Sequence, residues 1–93
     1  MDNEDTQVLG QTDEQLTTNA VLAVIEKIRR NGYMTGTNLV LVREDEPKFA
    51  GWCIYDLEEE LLFTSSVLLP AIHQFVRMET PEIIISICSR PKR

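Results

Sequence analysis

At 93 residues, 43% hydrophobic and 26% charged, the chain has the composition of an ordinary globular domain and room for one core. Fifteen acids against nine bases leave a net charge of −6, which repels phosphate backbones and argues against direct nucleic-acid binding. No apolar run reaches the length of a membrane span, and the N-terminus is acidic where a secretory signal begins basic, so the expectation is a cytoplasmic protein with no membrane partner.

Residues 1–12, with Asp2, Glu4 and Asp5 and few apolar side chains, cannot bury enough surface to offset their ordering entropy and read as a flexible acidic tail. Thr12-Asp13-Glu14-Gln15 has the form of a capping box. A helix follows, with Leu16, Ala20, Val21, Val24, Ile25 and Ile28 at helical spacing, a Glu26/Arg30 pair four residues apart, and Asn31-Gly32 as its stop. Tyr33 to Thr37 reads as a loop. Asn38 to Arg43, rich in branched residues, predicts a strand, and Glu44-Asp45-Glu46-Pro47 a turn. Lys48 to Tyr55 is its hairpin partner; Asp56-Leu57-Glu58-Glu59 punctuates the chain before a third strand, Glu60 to Thr64.

Ser65 or Ser66 can cap a second helix with Pro70 in its first turn, an apolar stripe of Leu68, Leu69, Ile72, Phe75 and Val76, and an end near Glu79. After Thr80-Pro81, the branched run from Glu82 to Cys88 predicts a fourth strand. The order is α-β-β-β-α-β: an α+β fold with a mainly antiparallel four-stranded sheet and two helices, occupying 13–89 as a single domain before a basic tail, 90–93. The helix and meander order resembles that of double-stranded RNA-binding domains. Those place lysines at the start of the second helix, where this chain has Ser65-Ser66-Val67-Leu68, so the resemblance is one of topology and carries no function across.

Catalytic chemistry finds little support, and the expectation is that the chain is not an enzyme. The single histidine, His73, has no serine, cysteine or metal-ligand partner near it in sequence. Gly32 and Gly36 follow a helix, with no lysine and no helix start after them, unlike a phosphate-cradling loop. Cys53 and Cys88 lack the close spacing of zinc or redox motifs and read as free thiols in a reducing compartment; a disulfide stays open if their strands are neighbours. No cofactor and no metal are expected.

The strands do not alternate apolar with polar, as strands covered on one face do. Leu39 and Leu41 oppose Val40 and Val42; Phe49, Cys53 and Tyr55 oppose Ala50, Trp52 and Ile54. Two helices of about 10 Å diameter cover about one face of four strands spaced about 4.8 Å apart, leaving a face for a second copy or a different protein unless the helices divide between the two faces. The function expected is that of a small acidic interaction module, an adaptor or inhibitor working through an apolar sheet face and self-associating as a homodimer. Trp52 with Tyr55, and Tyr33-Met34, are the candidate contact residues at that surface; for Trp52 the centre of the core is an equal alternative. A second reading is an acidic mimic of nucleic acid that blocks a DNA- or RNA-binding enzyme, with Glu58, Glu59 and Glu60 at work. The two acidic turns of the meander, however, fall about 25 Å apart at about 3.4 Å per residue, too far for a phosphate-like track.

Overall fold

A computed structural model describes residues 12–47 and 49–88; the acidic segment 1–11, Lys48, Ser89 and the basic tail 90–93 lie outside the described residues. The first helix, α1 (Asp13–Asn31), begins where the capping box places it. The Thr12 hydroxyl accepts from the Gln15 N–H at 3.0 Å, and the Gln15 carboxamide oxygen accepts from the Thr12 N–H. Asp13 and Glu14 in the first turn and Arg29 and Arg30 in the last complement the helix dipole. Gly32, at φ 87°, closes α1 in the left-handed conformation that costs glycine nothing, and its N–H donates to the Ile28 carbonyl.

Four strands follow in a simple meander, all antiparallel and in sequence order: β1 (Tyr33–Thr35), β2 (Leu39–Glu46), β3 (Phe49–Asp56) and β4 (Leu61–Ser65). The α+β class and the four-stranded antiparallel sheet are those the sequence predicts, but two assignments change. Tyr33–Thr35, read as loop, is a strand paired with Val40 to Val42. Glu44 to Glu46, read as turn, continue β2 and pair with Phe49 to Gly51. The β3–β4 connection is built on Asp56, whose side-chain Oδ1 accepts from the Glu58 and Glu60 N–H groups at 2.9 Å each, while Glu59 takes a positive φ of 69°. A bulge at Ile54/Tyr55 then shifts the register of β4.

The second helix, α2 (Leu68–Met78), has its N-cap one residue after the serines expected to cap it. Its N-cap is Val67, and Ser65 instead ends β4 and folds its hydroxyl onto Val67, accepting from the N–H and donating to the carbonyl. Pro70 sits in the first turn as expected, and Ala71, Ile72, Phe75 and Val76 form the buried stripe. The larger correction is at 81–88. The predicted fourth strand is a third helix, α3 (Pro81–Cys88), so the described residues hold three helices and the order is α-β-β-β-β-α-α. Pro81 occupies the first helical position, Glu82 the first turn, and the Ile84 N–H bonds to the Thr80 carbonyl at 3.0 Å. Ile84 is buried, and Ile85 and Cys88 pack against the core beside it. These positions share one face of a helix, whereas a strand would have grouped Ile83, Ile85 and Ile87.

One cluster of buried side chains joins all three helices to one face of the sheet. Met34, Leu39, Leu41 and Ile54 point into it, with Trp52 and Phe63 packed at its margin. Against that face α1 packs on β1, α2 on β2, β3 and β4, and α3 on α1 and α2. At one end of this layer the Glu79 side chain is buried, and its Oε2 accepts from the Asn38 N–H at 2.8 Å. The β1–β2 loop runs so close to it that a Cβ at Gly36 would fall against the Glu79 carboxylate and the Phe75 ring. No described helix is long and apolar enough to cross a membrane.

Candidate functional site: the open face of the sheet

Because side chains alternate along a strand, the registers define the second face. Tyr33 stands beside Val42, and Thr35 beside Val40; Val42 pairs with Cys53 and Val40 with Tyr55; Cys53 in turn pairs with Thr64. None of these side chains belongs to the helix-covered core. The possibility that the helices divide between the two faces is therefore not realised among the described residues. Val40 and Val42 are half-buried, Tyr33 and Leu61 about half exposed (48% and 51%), and no described element lies over them.

Tyr55 organises the surface. Its backbone pairs with Val40, yet its hydroxyl donates to Glu44 Oε2 at 3.1 Å, four residues further along β2, so the ring lies along the sheet above the Val42–Cys53 pair. Directly opposite Glu44 stands Gly51, which offers no side chain to obstruct this reach; a Cβ there would meet the Ser65 carbonyl. The ring explains why Cys53 is buried on a face that no helix covers. Burial pushes the Cys53 thiol up from its ordinary pKa, a bond with Tyr55 opposes this, and the carboxylates of Glu44 and Glu46 add to the rise. Tyr55 is pushed up to about 12, first by burial and then by its bond to Glu44, which an ionised phenolate could not make. Both groups stay protonated at neutral pH, and Cys53 is a weak nucleophile.

Two clefts flank the ring and share Tyr55 and Glu44. The larger, about 540 Å³, is lined by Val40, Val42 and Leu57 and by the acidic residues Glu44, Glu59 and Asp56, the last with its carboxylate bonded to the Glu58 and Glu60 amides of the turn. The smaller, about 260 Å³, is lined by Phe49, Cys53, Leu61 and Thr64, with Glu44 and Glu46 as its carboxylates. Glu44 and Glu46 lie toward the β2–β3 hairpin, and Asp56 and Glu59 at the opposite end. Among the described residues lining these clefts, four are acidic and none is basic.

The structure separates the residues singled out in the sequence. Tyr55 is central, Tyr33 lies at the β1 edge of the same face, and Glu59 lines the larger cleft. Met34 does not belong there: it is 1% exposed and points into the core. Trp52 also points to the helix side, where it packs against the core, so it does not form a surface with Tyr55. Glu58 and Glu60 are exposed in the β3–β4 turn and line neither cleft of the open face. Val40, Val42, Glu44 and Cys53 were missed as site residues. Counting in twos already groups Cys53 with Tyr55 without marking it as a contact residue, and continuing β2 past Arg43 puts Glu44 on the same side as Val40 and Val42.

His73 is exposed on α2. Cys53 and Cys88 are free thiols, and the described residues contain no group of three or more potential metal ligands. Comparison with protein-family models, with curated proteins and with solved structures finds no match to this chain.

Proposed function

We propose that this chain is a protein-binding module, an adaptor or inhibitor without catalytic activity, that works through the open face of its sheet. The observation that carries the reading is one-sided cover: α1 and α2 pack on one face with α3 against them, while Val40, Val42, Tyr33 and Leu61 meet solvent on the other. Apolar surface of this kind, grouped and bordered by charge, is the usual mark of an association site. Tyr55 has the properties of an anchor, a large ring already fixed by a hydrogen bond before any partner arrives. The free thiols suit a reducing cytoplasm.

A second reading, acidic mimicry of nucleic acid, gains from one observation. Glu44, Glu46, Asp56 and Glu59 come from both ends of the meander yet border clefts on a single face. The apolar lining between them favours the first reading, since a phosphate track has no counterpart to it.

The test is Val42→Lys, which puts a charge in the centre of the open face without touching the helix-side core. Peptide-display selection on the native chain should yield ligands that lose at least about tenfold in affinity for the variant, the cost of burying one poorly paired charge. Their amide shift changes should map to the outward residues of β2 and β3. Ligands that bind both proteins equally, or that map to the helices, would overturn the proposal.

A further inference from the structure

The chemistry of the open face restricts what can cover it. The described lining of its two clefts is apolar in the middle and acidic at both ends, with Glu44 and Glu46 toward the β2–β3 hairpin and Asp56 and Glu59 at the other end. A second copy docking face to face would bring these carboxylates against their own kind, and anionic lipid or nucleic acid would be repelled in the same way. The complementary surface is cationic at its ends and apolar between them.

Backbone chemistry narrows the shape. A strand laid on the face of a sheet cannot join its ladder, because the N–H and C=O groups of the sheet lie in its plane; its own polar groups would be desolvated without partners. A helix satisfies its backbone internally and can bury an apolar stripe on the same surface.

We infer that the open face receives a cationic amphipathic α-helix of a partner protein, with apolar side chains entering the clefts on either side of Tyr55 and basic residues near both helix ends. This rests on the reading of that face as a protein-binding surface. From Glu46 to Val40 the face runs about 20 Å at about 3.4 Å per residue, which about fourteen helical residues span at about 1.5 Å each. Apolar residues at helical spacing then present one side chain to the larger cleft beside Val40 and Leu57 and another to the smaller one beside Phe49 and Leu61.

The experiment is calorimetric titration of the full chain with three synthetic peptides of about fourteen residues, the span set by the helical rise. One carries leucines in a helical stripe with lysines at both ends; the second has the same composition scrambled, and the third has glutamate in place of lysine. The striped basic peptide should bind at least about tenfold more tightly than either control, gain helicity on binding, and lose roughly five- to tenfold in affinity to the doubly neutralised variant Glu46→Gln/Glu59→Gln. Equal binding of the scrambled peptide, or no loss in the neutralised variant, would overturn the inference. So would a concentration-dependent dimer in light scattering that Val42→Lys disperses and the peptide does not, since a second copy would then hold the face; that outcome leaves the protein-binding reading standing. If Val42→Lys, with an unchanged circular dichroism spectrum, weakens neither peptide binding nor dimerisation, both fall.

Discussion

Among individual side chains, Tyr55 decides the character of the open face, since its phenol is held along the sheet by Glu44 and is what buries Cys53. Its pKa of about 12 against an ordinary 10.0 makes a spectroscopic prediction. The phenolate absorbance lost on Tyr55→Phe should titrate with a midpoint near 12 in the folded chain and near 10 in denaturant. The sign for stability follows: folding favours the neutral phenol, so this contribution is complete below about pH 10 and is lost as pH rises through about 12. A midpoint at the ordinary value would mean that the ring is free of Glu44. How far the site can be read from sequence turns on the same few residues. Alternation alone puts Tyr55 and Cys53 together and Trp52 opposite them, so of the two readings of Trp52 the structure bears out its place against the core and not a surface shared with Tyr55. Met34 misled for a different reason, because in a segment read as loop its burial carried no signal.

Among the elements, α1 was legible almost residue by residue, since capping box, stripe and glycine stop all point the same way. The opposite holds for α3. Glu82 to Cys88 is a short run of branched apolar residues, and such a run fits a strand interior and a buried helical turn equally well when its neighbours are unknown. What settles it is tertiary: α3 packs against α1, a contact between segments at least 50 residues apart in sequence, and only helical geometry brings Ile84, Ile85 and Cys88 to that side. Substitutions should reproduce this spacing. Ile84→Ala should cost about 2–4 kcal/mol in urea denaturation by leaving a cavity in the core. Ile83→Ala, at a residue 37% exposed, should cost clearly less, on the order of 0.5 kcal/mol. Comparable losses at Ile83, Ile85 and Ile87 with little at Ile84 would restore the strand. The β1 strand was illegible for the complementary reason, since three residues are too few for a periodicity to show.

For the whole molecule, α1 and α2 cover the sheet on one side only and α3 packs on those two helices. The two layers are fastened at the buried Glu79, where the C-cap of α2 holds the Asn38 amide of the β1–β2 loop across 41 positions of sequence. This bond makes the layers cooperative in time as well as in space. Helix ends ordinarily fray on their own, and loop amides exchange with solvent faster than those of the strands beside them. Here the C-terminal turn of α2 cannot open without also releasing the loop, so both should belong to one exchange unit. In native-state hydrogen exchange the Asn38 amide should be protected to the same free energy as the final amides of α2, and Glu79→Ala should uncouple the two, leaving Asn38 to exchange freely while the middle of α2 keeps its protection. Should Asn38 exchange at a loop rate in the unaltered chain, the fastening would be only a static contact, and the first event of unfolding would lie elsewhere.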